Sequence, residues 1–389
     1  MAKKVTRRAD RAGEVGELSP ELLAAIDRGV IESAGDRVKY SHMYFSSDFR
    51  FESDCLIIPD EAPIEVSIAS PTPIKIKISK DAGKQDGKGK TTFVCTLYTE
   101  EAIPEELHGS FAAEWQKQPE QIHEITRTVN ARISRYENHV TRIVQWFTGN
   151  DRHQKLAITR DRTKWSITGG EWTPTSKAPP GAVTILEVRS VSKPAPAFAR
   201  KTLTNLLEHF EEPLAHEMAR EARSLLSSSP RSCIMLAVAA AEYGFKAFAS
   251  SAVPATEWLL LRVQAPPLDT MLHKYFPSLP LKQVWGVPPF IPKGLRTRIQ
   301  KAVQTRNEIA HAGGQPPDAQ VVSEVARSVL DLLYILDAYS GHEWAWYHLS
   351  DECRAEIKRK IERIKSSQGD QGNASDRRAT TAWRKRQQP

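Results

Sequence analysis

Residues Arg231–Ala249 carry apolar side chains almost all the way round a helical wheel: Cys233, Ile234, Leu236, Ala237, Val238, Ala240, Ala241, Phe245 and Phe248. A helix of that kind must be enclosed by other elements, so this segment alone calls for a bundle built around it. The flanking periodicities supply the walls. Phe198–His209 and Leu214–Leu226 read as helices, and Ser227-Ser228-Ser229-Pro230 as a turn that provides a cap and a first-turn proline. Leu268–Phe276 is a shorter helix, followed by a loop holding Pro277, Pro280, Pro288, Pro289 and Pro292. Leu295–Ala312 has a stripe of Leu295, Ile299 and Val303 and stops at Gly313-Gly314. Val321 to Leu336 marks the next helix, and a charged helix runs from about Ser350 to Lys365.

The first half has another rhythm. Ile64–Ile68 and Ile74–Ile78 alternate apolar and polar residues, and Thr91–Tyr98 is rich in β-branched and aromatic residues. The Gly/Lys-rich Asp81–Lys90 suits a hairpin loop. The period then changes to three and four: Ile122, Ile125, Val129, Ile133, Tyr136, Val140, Ile143, Val144 and Phe147 define one long amphipathic helix ending at Gly149-Asn150. Lys155–Thr159, Lys164–Thr168 and Ala182–Val188 return to strand-like composition. The expected fold class is an α+β N-terminal domain, β-rich with one long helix, followed by an all-α antiparallel helical bundle. The expected limits are a basic, disordered tail at 1–18, the α+β domain at 19–192 (opening on a short helix at Ser19-Pro20), the bundle at 193–349, and a charged helix with a second basic tail at 350–389.

The net charge of +7 suggests nucleic acid until it is located. Each end carries +4, from Lys3, Lys4, Arg7, Arg8 and Arg11 against Asp10, and from Arg377, Arg378, Arg384, Lys385 and Arg386 against Asp376. The remaining residues, 12–375, therefore carry −1 of that +7. The basic excess belongs to the tails, which add salt-dependent affinity for RNA or simply solubilise. No unbroken apolar run approaches the ~18 residues that cross a bilayer, and the start lacks the apolar core of a secretory signal. The expectation is a cytoplasmic protein without a membrane partner. Cys55, Cys95, Cys233 and Cys353 are widely spaced, which suits reduced thiols better than a zinc site or a disulfide framework.

The chemistry-bearing feature is Arg306-Asn307-Glu308-Ile309-Ala310-His311. Asn307 and His311, four apart on a helix, share a face that Arg306 flanks, and His311 falls in the last turn where the chain opens. Cleavage of RNA by transesterification needs a base for the 2′-OH, an acid for the leaving 5′-oxygen and positive charge beside the phosphorane. Histidine titrates in the right range for the first two, and arginine forks onto phosphate oxygens. One motif supplies one His and one Arg; two copies about a two-fold axis supply two of each. Lys293, Arg296, Arg298 and Lys301 add positive charge in and just before the same helix. Arg296, Arg298 and Lys301 are the candidate RNA-binding residues.

With Arg306, Asn307 and His311 late in a bundle and a lone acid, Glu242, in the apolar helix, residues 205–345 resemble the HEPN superfamily. The resemblance implies an antiparallel bundle that dimerises, a metal-independent endoribonuclease without a cofactor, and the class of RNA-cleaving toxins or antiviral defence effectors. It assigns Arg306, Asn307 and His311 to catalysis and Glu242 to support; pairing of Glu242 with Lys246, four residues on, is the purely structural alternative. Two other readings stand beside it. One is a non-catalytic HEPN module for RNA binding or dimerisation, with a sensor of a ligand or regulatory protein in the first half. The other is an adapter, or a toxin held by an antitoxin.

Other patterns lead less far. Gly83-Lys84-Gln85-Asp86-Gly87-Lys88-Gly89-Lys90-Thr91 has five residues where a phosphate-binding loop has four, and a strand follows where that loop needs a helix. His216-Glu217-Met218-Ala219-Arg220 begins like a zinc-protease helix but has Arg220 in place of the second His. Trp344, Trp346 and Tyr347 could stack on unpaired bases, but packing of a connecting segment explains them more simply.

Overall fold

The computed structural model describes residues 39–53, 63–68, 73–85, 91–113, 115–149, 159–160, 163–175, 199–263, 266–312 and 317–366. The expected tails, the short helix at Ser19-Pro20, the Gly313-Gly314 stop, the strand at Ala182–Val188 and the domain boundary at 192/193 lie outside these residues.

The N-terminal half is an antiparallel sheet. Its strands are β1 Tyr40–Ser53, β2 Ile64–Ile68, β3 Ile74–Gln85, β4 Thr91–Pro104, β5 Thr159–Arg160, β6 Lys164–Ser166 and β7 Thr173–Pro174. Their order is β2-β3-β4-β1-β6-β7, with β5 also on β1. The alternating residues do what their period demands. Ile64, Val66, Ile74, Ile76, Ile78, Phe93, Cys95 and Leu97 all point to one buried face. On the other face Glu65 and Lys77, directly opposite in the β2–β3 register, form a cross-strand ion pair at 3.2 Å. The central strand is β1, paired with β4 from Tyr40↔Pro104 to Ser53↔Thr91. Ser46, Ser47 and Asp48 interrupt its apolar alternation, which is why the sequence does not single it out as a strand.

The buried face is covered by α1, Glu120–Thr148. Ile122, Val129, Ile133, Val140, Ile143 and Val144 form the stripe that rests on β4 and β1. The last turn differs: Gln145, Trp146, Phe147 and Thr148 are buried all round. There the helix leaves the sheet and enters the C-terminal half.

That half is mostly helical. Its helices are α2 Ala199–His209, α3 Leu214–Ser224, α4 Pro230–Ala252, α5 Glu257–Arg262, α6 Lys293–Ala312, α7 Ala319–Tyr339 and α8, residues 351–366. Pro230 opens α4 as expected, whereas Leu268–Phe276 divides into one α-turn and a π-turn, Met271–Tyr275. The helix closed in on nearly every side is α7, with all residues from Ser328 to Tyr339 buried. On α4, expected to be enclosed all round, one strip stays open through Met235 and Tyr243, each 38 % exposed. Length and composition alone would let α4 cross a membrane; half of the relevant stretch is buried here against neighbouring helices. Gly244 makes the α4 packing close: a Cβ there would meet Leu333 Cδ2 at 2.5 Å and Ala215 Cβ at 2.9 Å.

The hydrophobic core is continuous from Met43 to Ile357, and its joint is the end of α1. Trp146 Nε1 donates to Asp337 Oδ2 of α7 at 3.0 Å, and His216 Nε2 of α3 lies 2.9 Å from the same oxygen. Trp344 packs edge-on against both Trp146 and Phe147, with centroids 5.2 and 5.4 Å apart. His348 Nε2 donates to the Phe147 carbonyl at 2.9 Å. Gly149 caps α1 at φ +64°, and a Cβ on it would come within 2.4 Å of His348 Nδ1. Gly149→Ala therefore combines left-handed strain with a clash against a packed ring. The expected loss is about 2–4 kcal/mol, read as a lower urea midpoint at unchanged slope.

The joint also gives the fold an acid-sensitive side. Burial drives the His348 imidazole down to about 4, with His216 and Arg354 reinforcing the shift and Asp337 and the Phe147 carbonyl opposing it. His342 is lowered too, again chiefly by burial. A histidine depressed in the folded state contributes stability that is complete above the unfolded value of about 6.5 and is lost as pH falls toward the folded one. For His348 the expected loss is about 2 kcal/mol between pH 7 and pH 5. Asp331 works the other way, because burial raises its carboxyl and acidification relieves that cost. Urea midpoints at pH 7 and 5 test the balance: wild type falls, and His348→Gln, which keeps a donor for Phe147, flattens the dependence.

Candidate functional site

The motif occupies the last turns of α6. Leu295, Ile299 and Ala302 seat this helix in the core, and it packs on α4 and α7. Arg306 follows the inward side. Its Nη2 donates to Glu242 Oε1 of α4 at 2.5 Å. The acid in the apolar helix thus meets the arginine of the motif rather than Lys246 on its own helix. Both side chains are about one-third exposed, at 28 % and 32 %, so the pair contributes on the order of 1 kcal/mol or less. Its larger effect is to fix where one guanidinium edge points. Arg306 Nε is buried and makes no hydrogen bond among the described residues.

Asn307 and His311 lie on another side of α6 and are exposed. Five residues on a helix amount to about 140° of rotation, so Arg306 and His311 diverge within one chain. A cleft of about 700 Å³ beside the ion pair is lined by Glu242, Tyr243, Lys246, Trp258, Leu261 and Arg262, among others. Neither Asn307 nor His311 lines it. The geometry therefore brings Arg306 and Glu242 together and leaves Asn307 and His311 pointing to solvent.

The three candidate RNA-binding residues also separate. Arg298 Nη1 is held by Glu352 at 2.7 Å and by Glu356 at 3.1 Å, a contact that ties α6 to α8. Lys301 is exposed on the flank. Arg296 lines a groove of about 590 Å³ with Lys293, Arg359, Lys360 and Arg363. The last three belong to α8, which the sequence marks only as a charged helix. Their signal was present in the spacing, because Arg359 and Arg363 stand four apart.

The near-zinc pattern on α3 has a structural use. His216 is buried beside Asp337, and Arg220 makes a buried bidentate pair with Glu212. Among the described residues, no group of three or more His, Cys, Asp or Glu is placed to hold a metal. Trp344 is buried at the joint, whereas Tyr347 is 43 % exposed. Residues 86–90 of the glycine-rich loop lie outside the described residues, and strand β4 begins at Thr91. Cys95, Cys233 and Cys353 are buried free thiols; Cys55 lies outside the described residues.

Comparison with protein-family models, with curated proteins and with solved structures finds no match to this chain.

Proposed function

We propose that the C-terminal half is a HEPN-type bundle and that the protein is a metal-independent endoribonuclease, a toxin or antiviral defence effector acting as a homodimer. The observation that carries this reading is the Arg306–Glu242 ion pair, which joins the motif arginine to the lone acid of the early apolar helix. In the proposed reaction the 2′-oxygen attacks phosphorus and the 5′-oxygen leaves. His311 takes the 2′-OH proton or donates one to the leaving oxygen, and Arg306 stabilises the phosphorane charge through donors not used by Glu242. Asn307 orients His311 or donates to phosphate.

A second copy is part of the proposal because Arg306 and His311 diverge within one chain. The face that would receive it lies beside Glu242: Met235 and Tyr243 on α4, with Trp258 (69 % exposed), Leu259 and Leu261 on α5. Such an apolar group around an acid fits burial against a partner. A cleft of about 770 Å³ between α1 and the α2–α3 connection, holding Arg135, Asn138 and Glu211, offers the first half a place to sense a ligand.

The divergence of Arg306 and His311 favours one alternative, a non-catalytic HEPN module that binds RNA. Purified protein on mixed RNA in EDTA separates the two. Cleavage that is lost in His311→Ala and Arg306→Ala supports the enzyme; cleavage that survives unchanged in both sinks the assignment, and binding without cleavage leaves the module.

A further inference from the structure

The groove between α6 and α8 has no part in the reading above. Lys293 and Arg296 come from α6; Arg359, Lys360 and Arg363 come from α8. Among the described residues lining the groove, these five cations face one acid, Glu356. That acid is already engaged, accepting from the Gly294 backbone N–H at 2.9 Å and from Arg298 at 3.1 Å. Arg296 Nε is buried and makes no hydrogen bond among the described residues. Leu272, Phe290, Ile291 and Pro292 also line the groove, and Phe290 is partly exposed. Cations beside a partly exposed aromatic ring suit a phosphate backbone with a base or ribose against that ring.

The position of the groove gives it a direction. Lys293, Gln300, Gln304, Asn307 and His311 are all exposed, and on a 3.6-residue helix they fall within about 40° of one line. Arg296 and His311 are fifteen residues apart, about 22 Å at 1.5 Å each. One polar, exposed strip therefore leads from the groove to the motif histidine. It holds two glutamines and an asparagine, which can donate to phosphates.

We propose that this groove binds the phosphate backbone of single-stranded RNA and that the strand runs from it along α6 to His311. The direction toward His311 rests on the ribonuclease reading; the binding itself does not. Phosphate contacts position a strand without reading its sequence. The groove thus anchors substrate several nucleotides away from the bond cut.

The test is fluorescence anisotropy with a labelled twelve-nucleotide oligouridylate, using full-length His311→Ala so that no cleavage intervenes. Arg359→Glu with Lys360→Glu is expected to weaken binding at least about 10-fold and to reduce the slope of log affinity against log salt by about 1.4, at ~0.7 per phosphate contact. The neutral pair Arg359→Gln with Lys360→Gln gives a smaller loss in the same direction. Lys358→Glu with Lys365→Glu makes the same charge change on α8 outside the groove, and shifts affinity less than about 3-fold. Equal weakening by the two reversal pairs, or none by either, overturns the groove. With His311 restored, the groove pair raises KM for the same oligonucleotide. A wild type that cuts no RNA removes the ribonuclease reading, yet the binding comparison still decides the groove.

Discussion

On the proposed ribonuclease reading, His311→Ala is expected to lower RNA cleavage by about 10²–10⁴-fold, the range that loss of a positioned general acid or base costs, while the fold stays intact. His311 is exposed and makes no hydrogen bond or ion pair among the described residues. Its removal therefore costs little stability. On the same reading Arg306→Ala is expected to give a comparable loss for a different reason, because the phosphorane charge would go unmatched. The two variants mixed together are more informative than either alone. If the cleft is shared across a two-fold axis, a mixed dimer again holds one Arg306 and one His311. Activity then returns at least about 10-fold above each variant by itself. Mixing that restores nothing, in a sample shown by mass to contain mixed dimers, sinks the shared cleft.

How far the sequence discloses this arrangement depends on whether the signal is local. Alternation at Ile74–Ile78 and the three-and-four spacing from Ile122 to Phe147 each follow from one element facing one core, and each appears where expected. The same holds for the motif helix, found at Lys293–Ala312. The joint was not legible. Trp146 and Phe147 look like the end of an amphipathic stripe, and nothing local says that Asp337, far along the chain, accepts from the indole. Arg298 is not legible for the same reason: nothing local in a cation on a helix face says that Glu352 and Glu356 are brought against it. Glu242 falls between these cases. Its isolation among apolar residues marks it, but the choice of Arg306 over Lys246 is made by the approach of α6 to α4.

Asp337→Ala is expected to cost about 3 kcal/mol and to separate the unfolding of the sheet from that of the bundle. Asp337 is 7 % exposed; it accepts from Trp146 Nε1 of α1, and His216 Nε2 of α3 lies 2.9 Å from the same oxygen. Removing it leaves the Trp146 indole N–H unpaired in a buried place and takes the carboxylate away from the buried His216 ring, a costlier outcome than losing one exposed contact. Asp337→Asn keeps an acceptor for Trp146 and loses about 1 kcal/mol. In wild type, tryptophan fluorescence and far-ultraviolet circular dichroism give one urea midpoint, because the core is continuous. In Asp337→Ala the two midpoints part. Coincident midpoints with a shift under about 1 kcal/mol refute the assigned role of the joint.

The all-round burial of Gln145–Thr148 bears on how such a chain can be recombined. A sheet-bearing half cannot be exchanged at the edge of its sheet, because its final helical turn is a plug seated in the other half. The transferable unit runs through Gly149. Any replacement must bring an aromatic pair shaped for the socket formed by Asp337, His342, Trp344 and His348. Descent by swapping front halves is thereby restricted to donors that carry a matching key.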